Sequence, residues 1–313
     1  MSQMWDKKGH IYSPTGLLPW AQTHAQMPTS YLTNDGQIGI LFASRDSKNI
    51  SRIGSIIVSS KDPGKLIHDY KIISLDIGTK GCFDDSGVMP SSLVRVDSIF
   101  YLYYIGWNER STVPYHNSIG LATSDDGINF KRMYDGPIME RTYKEPYFCS
   151  APCVIYDEGI WRMWYLSCTE WIYVNEKIEP RYHIKYADSL DGIVWNRQGR
   201  IAIDYKNDSE GGIVRPSVIK KKDGGYQMWF SFRNTKGYRL DTFSSYRIGY
   251  AESFDALSWD RQDNNSGISV SNSGWDSFMI AYPDVLICKN KIYMFYNGNG
   301  FGYTGLGYAV LEA

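Results

Sequence analysis

The chain has few of the features that would announce a function. Five cysteines in 313 residues (Cys82, Cys149, Cys153, Cys168, Cys288) are too few and too scattered for a disulfide framework. Cys149 and Cys153 stand four apart, but a zinc site would need a second paired motif, so both are expected to pack as small apolar side chains. The formal net charge is only −1, which gives no bulk reason to expect a nucleic-acid backbone or an anionic membrane as partner. No apolar run approaches the ~18 residues of a membrane span, and the first residues, MSQMWDKKGHIY, have no apolar signal core, so a cytoplasmic protein is expected. Helical periodicity is hard to find anywhere. There is also no Gly-rich phosphate loop leading into a helix and no His-rich metal cluster. Nor does a Pro/Ser/Gly linker divide the chain, and a single domain over 1–313 is expected.

What the chain does have is one text written several times. Its clearest copy runs from Pro90 to Met133: a proline, a short apolar run, a tight turn at Val96-Asp97-Ser98, an aromatic run Ile99–Trp107, a polar excursion, a second alternating run Ile119–Thr123, and the turn Ser124-Asp125-Asp126-Gly127. Alternation with β-branched and aromatic residues predicts three or four short antiparallel strands. The copies open at Pro28, Pro90, Pro152, Pro216 and Pro283, which are 62, 62, 64 and 67 residues apart. A period this long, with four strands in each unit, predicts an all-β, five-bladed β-propeller of four-stranded antiparallel blades. The blades fall at about 27–80, 84–140, 145–204, 210–270 and 276–313, the last completed by 4–12. The fifth copy stops after its third strand, and Trp5-Asp6-Lys7-Lys8-Gly9-His10-Ile11 matches the outer-strand text Trp195-Asn196-Arg197-Gln198-Gly199-Arg200-Ile201. The N-terminal strand is therefore expected to close the last blade and cover its open edge. Most of the 25 Tyr, 10 Trp and 12 Phe fall at repeat positions, where they belong to the core between sheets.

Strand directions then separate two rims. One carries only tight turns. The Asp residues in Ser124-Asp125-Asp126-Gly127, Ser189-Leu190-Asp191-Gly192 and Ser253-Phe254-Asp255-Ala256 recur from copy to copy, as turn-capping residues do. Asp84, Asp85, Glu145, Glu210 and Asp276 recur just upstream of the inner strands, which again points to a structural role. On the other rim the copies disagree, as one asymmetric site would require. It carries Arg45, Asp46, Trp107, Glu109, His116, Glu170, Trp171, His183, Arg215, Arg233, Arg247, Tyr282 and Asp284. Arginine forks suit carboxylate or phosphate, and aromatic platforms beside acids suit sugar rings, so an anionic or phosphorylated carbohydrate is the ligand class expected.

The blade pattern Pro-x-x-(apolar)…Gly-x-Tyr-x-(Met/Leu)-(Trp/Tyr)-(Tyr/Phe), followed by Ile-Gly-(Tyr/Leu)-Ala-x-Ser-x-Asp-Gly-x-x-Trp, resembles the five-bladed propellers of the arabinanase, β-xylosidase and invertase glycosidases. It is similar too to the propeller module of glucosamine inositolphosphorylceramide transferases. The glycosidase resemblance implies three acids on inner strands: a base before one proline, a helper Asp after the next and an acid Glu before the third. Here Met27 precedes Pro28, Ser91 follows Pro90, and Ser150-Ala151 precede Pro152; only Tyr282-Pro283-Asp284 matches the helper motif.

Two readings follow. In one the protein is a glycoside-active hydrolase or transferase, with Glu170 or Glu109 as proton donor, Asp284 as second carboxylate or pKa modulator, and Arg45, Arg215, Arg233 and Arg247 on the anionic group. In the other the same arginines bind a sugar and no acid is poised for turnover, in surface-polysaccharide metabolism. No cofactor is expected, although a structural calcium in the central channel is compatible with the fold. A monomer or weak homodimer is expected, with no nucleic-acid partner.

Overall fold

The structure, a computed structural model, describes residues 4–312. Among the described residues helix is confined to one 3-10 turn at Asp263–Asn265 and the four-residue α1 at Asn299–Gly302. After β1 (Asp6–Tyr12), the strands β2 (Thr23–Leu32), β3 (Ile38–Arg45), β4 (Ser51–Val58) and β5 (Leu66–Leu75) make one antiparallel sheet in chain order. A second is made by β6 (Gly87–Val96), β7 (Ile99–Glu109), β8 (Tyr115–Ser124) and β9 (Lys131–Arg132). An eight-stranded sheet follows, comprising β10 (Cys149–Asp157), β11 (Ile160–Val174), β12 (Lys177–Ser189), β13 (Ile201–Ile203), β14 (Glu210–Lys220), β15 (Tyr226–Asn234), β16 (Arg247–Ser253) and β17 (Asp260–Arg261). A single parallel pair, Tyr182 with Gly212, joins its two antiparallel halves. The last sheet has the order β1-β20-β19-β18, with β18 at Ala281–Cys288, β19 at Lys291–Asn297 and β20 at Leu306–Glu312.

The two ends of the chain meet in that last sheet. Asp6 lies opposite Val310 and His10 opposite Gly307, and Trp5 is buried edge-on against Trp229 at 5.4 Å between centroids. The edge that β20 would otherwise expose is thereby paired.

Strand β7 shows why the runs are apolar throughout rather than alternately wet and dry. Successive side chains point to opposite faces. Phe100, Leu102 and Tyr104 pack with Leu41 and Ile53 of the preceding sheet, while Tyr103 packs with Val154, Trp161 and Met163 of the next. Similar clusters join β11–β12 to β14–β15, β15–β16 to β18–β20, and β19–β20 to β2–β4, so the packing runs in a closed circle around a sixth, central cluster. The repeated Ile-Gly of the third strands has a steric cause. A Cβ on Gly120 would lie 2.3 Å from the Tyr104 ring, and one on Gly249 2.6 Å from Phe230.

Four of the recurring acids before the inner strands, Asp84, Glu145, Glu210 and Asp276, are buried and each meets a cation from the outer edge of a sheet, while the half-buried Asp85 accepts from Gly81, Ser86 and Asn108 instead. Asp84 pairs with Arg132 at 2.8 Å and Glu210 with Arg261 at 2.6 Å, while Glu145 pairs with Arg197 and Asp276 with Lys7. Hydroxyls of Tyr104, Tyr165 and Tyr296 donate to three of these acids. The turn aspartates cap their own loops: Asp126 Oδ1 accepts from the N–H groups of Ile128 and Asn129 at 2.7 and 2.8 Å, and Asp191 and Asp255 repeat the arrangement.

Candidate functional site

The inner strands share a bulge at the opening proline. Met27, Ala151, Arg215 and Tyr282, each preceding its proline, have φ of 59°, 45°, 56° and 56°, and the pairing register slips at each of these points. Such a bulge re-aims a side chain out of the ladder. Three of the four, Met27, Ala151 and Tyr282, thereby line a central cavity of about 300 Å³ to which all four sheets contribute.

The cavity wall is rich in aromatic rings, with Trp107, Tyr115, Tyr182, Tyr238, Tyr246 and Tyr282 prominent. The hydroxyls of Tyr182 and Tyr246 are 2.6 Å apart. Burial pushes the Tyr246 and Tyr282 hydroxyls well above the usual tyrosine range, so both remain protonated and are neutral hydrogen-bonding groups. Polar groups are few. Arg45 donates to Gln26 Oε1 at 2.7 Å and Asn49 Oδ1 at 2.9 Å, while its Nε has no partner among the described residues. Burial lowers its pKa, and among the described residues no carboxylate pairs with it. Arg239, by contrast, is neutralised by Glu179, which also accepts from Tyr238 at 2.8 Å. No Asp or Glu is among the lining residues.

Of the residues singled out in the sequence, Arg45, Trp107 and Tyr282 meet in this cavity. His116 and Trp171 line an adjoining cleft that shares Tyr115 and Phe148 with it. Burial, reinforced by Arg141 and Arg110, brings the His116 pKa down to about 4. The remaining residues stand apart from both. Arg215 is 1 % exposed and donates to Pro28 O at 2.7 Å and Asp284 Oδ1 at 2.9 Å. Asp284 also accepts from Ser30 N at 2.7 Å. Arg233 is buried over the Tyr238 ring at 3.8 Å and donates to Pro180 O at 3.2 Å. Arg247 binds the carbonyls of Tyr246, Phe278 and Thr242. Asp46 pairs with Arg52 at 2.9 Å, and His183 Nδ1 lies 3.0 Å from Asp204. Glu170 pairs with Arg181 at 2.8 Å on the rim, and Glu109 is exposed at the end of β7.

Gln26, Tyr238 and Arg239 line the cavity without having been singled out. Tyr238 and Arg239 come from the loop between β15 and β16, whose return path no strand pattern reveals. A cleft of about 460 Å³ on the tight-turn rim, beside Asp35 and Gly36, holds Lys61, Lys65 and Lys289 but no aromatic ring, which makes it a poor sugar site. Among the described residues no group of three or more His, Cys, Asp or Glu could hold a metal ion, and no helix is long and apolar enough to cross a membrane.

Sheets packed in a circle around an aromatic cavity place this chain with the propeller-fold glycoside hydrolases in architecture. A glycosyl hydrolase from Bacteroides ovatus is similar over 99 % of this chain and 94 % of its own, at TM-score 0.72 and 18 % identity. A structure described under the GH130 family of mannoside phosphorylases, with glycoside hydrolases that target β-1,2 mannosidic linkages in Candida mannan, covers 99 % of this chain and 94 % of its own at TM-score 0.70 and 18 % identity. The Bombyx mori GH32 β-fructofuranosidase BmSUC1 covers 98 % and 61 % respectively at TM-score 0.62 and 13 % identity. At these identities the likeness is one of fold. No protein-family model matches the chain. The chain belongs to the family of the Mycobacterium tuberculosis uncharacterized protein Rv1502 of strain H37Rv and its counterpart MT1551 of strain CDC 1551 / Oshkosh, each 39 % identical over 308 residues, 98 % of this chain and 99 % of the relative.

Proposed function

We propose that this protein is a five-bladed, glycosidase-like propeller that takes a sugar bearing an anionic group into its central cavity. In this reading the eight-stranded sheet is two blades bridged at Tyr182 and Gly212. The observation that carries the proposal is the make-up of the cavity: aromatic walls around one arginine, Arg45, that has no acidic counter-ion among the described residues. Its volume, about 300 Å³, is at the small end of ligand pockets and suits one sugar unit rather than a long chain. Rings of Trp107 and the tyrosines offer flat apolar faces to a saccharide, and Arg45 supplies the charge.

Titration calorimetry with glucuronate and hexose phosphates tests this. Arg45→Gln removes a charge-assisted hydrogen bond worth roughly 1.5–3 kcal/mol, so affinity should fall about ten- to a hundredfold. Equal affinity in the variant, or no binding of any anionic sugar by the wild type, refutes the anionic assignment.

The cavity lacks a lining carboxylate, which favours recognition of the sugar over its hydrolysis, because hydrolysis needs two carboxyl groups ~5–10 Å apart across the bond. The glycoside hydrolases among the fold neighbours support the alternative of turnover, with Glu170 or Glu109 as proton donor and Asp284 as the second carboxylate. Glu170→Gln and Glu109→Gln separate the two. Loss of turnover with binding retained establishes the enzyme; sugar binding without turnover in the wild type establishes recognition alone.

A further inference from the structure

We propose that the cleft beside the central cavity is a second, oxyanion-binding subsite, formed by Arg110 and Arg141, for a phosphoryl or carboxylate group of the ligand whose sugar occupies the cavity. Its link to a sugar rests on the function proposed above; the subsite itself rests on its own geometry. The cleft encloses about 440 Å³ and adjoins the central cavity, with which it shares the walls Tyr115 and Phe148.

Two guanidinium groups from different loops line this one space. Arg110 follows β7, and Arg141 lies in the segment leading to β10. Ion pairs neutralise the rim arginines Arg52, Arg181 and Arg239, but none among the described residues involves Arg110 or Arg141. Their chain neighbours Glu109 and Glu140 do not line the cleft, and no other acid does. Two like charges facing a common space without a counter-ion repel one another, and an oxyanion between them relieves that repulsion while accepting their forked N–H groups. Their combined field already reaches a third group. His116 is 9 % exposed in the same wall, has an unpartnered Nε2, and is kept neutral by burial and by both arginines. Trp171, in the same lining, offers a flat ring beside the anion position.

His116 serves as the reporter, since the chain has only five histidines and its ring resonances are assignable. Inorganic pyrophosphate and glucuronate are titrated separately into the wild type, into Arg110→Gln/Arg141→Gln and into Arg45→Gln, with thermal unfolding confirming that each variant is folded. The expected result is a saturating shift of the His116 resonance in the wild type, weakened about tenfold or more in the double variant and unchanged in Arg45→Gln. A response to pyrophosphate alone assigns a phosphoryl group, and a response to glucuronate alone a carboxylate. No shift with either probe, or an undiminished shift in the double variant, overturns the subsite. Loss of glucuronate affinity in Arg45→Gln bears only on the central cavity, so failure of the subsite and failure of the central assignment are told apart.

Discussion

Asp284 occupies the position after the fifth opening proline, where Cys153 and Ser217 stand in the third and fourth copies. Those two accept backbone N–H groups from the neighbouring inner strand, from Val218 at 3.3 Å and Val285 at 2.8 Å. Asp284 does the same for Ser30, and it is also the counter-ion of Arg215, whose side chain is 1 % exposed. Asp284→Asn keeps an oxygen for Ser30 but strands the buried guanidinium. Breaking a buried pair from one side costs roughly 3–5 kcal/mol. At about 2.1 cal/mol/K per residue, a chain of 313 residues has an unfolding entropy near 0.66 kcal/mol/K, so even ~3 kcal/mol lowers the melting temperature by ~5 °C. Adding Arg215→Met removes the stranded charge and should restore most of the loss. Thermal unfolding followed by circular dichroism measures both variants. An Asp284→Asn protein that melts within ~1 °C of wild type yet loses turnover would refute the structural assignment and make Asp284 the catalytic carboxylate of the glycosidase resemblance.

Trp5→Ala should cost roughly 3–5 kcal/mol and promote association by loosening the closing strand, as measured by thermal unfolding and size-exclusion chromatography. Gly120→Ala drives a Cβ into the Tyr104 ring and should destabilise by roughly 1–3 kcal/mol in denaturant unfolding, whereas Gly136→Ala, with open space at its Cβ, should not. Burial alone would raise the Asp126 pKa, but the N–H groups of Asn129 and Ile128 bring it from the usual 3.8 down to about 2. Its contribution to stability is therefore present above pH 3.8 and lost as pH falls through about 2, and the melting-temperature gap between wild type and Asp126→Asn should close across that window.

Much of this was legible from a single chain. The strand runs, the turn aspartates, the acids before the inner strands and the match between the Trp5 and Trp195 segments all repeat, and a residue that recurs in every copy serves what every copy needs. Recurrence points to a structural role for Asp84, Glu145, Glu210 and Asp276, and each meets a cation from the outer edge of a sheet. Rim residues carry no such internal control. Arg45 and Arg215 look alike in sequence, yet one opens into the cavity without a counter-ion and the other is clamped between Pro28 and Asp284. Which arginine remains unpaired depends on what the neighbouring strands place beside it, and for Arg215 those neighbours, Asp284 and Pro28, lie 69 and 187 residues away in the chain.

The amino-acid sequence by itself determined the all-β architecture, the spacing of its units and the pairing of its ends, because hydrophobic period and turn chemistry act over a few residues. Only the tertiary structure decided that four sheets enclose one aromatic cavity and which charges in it lack partners. The reason is that bulges before Pro28, Pro152 and Pro283 swing Met27, Ala151 and Tyr282 inward, and the side chains that neighbouring strands bring beside each arginine, rather than residue type, then separate a neutralised arginine from an available one.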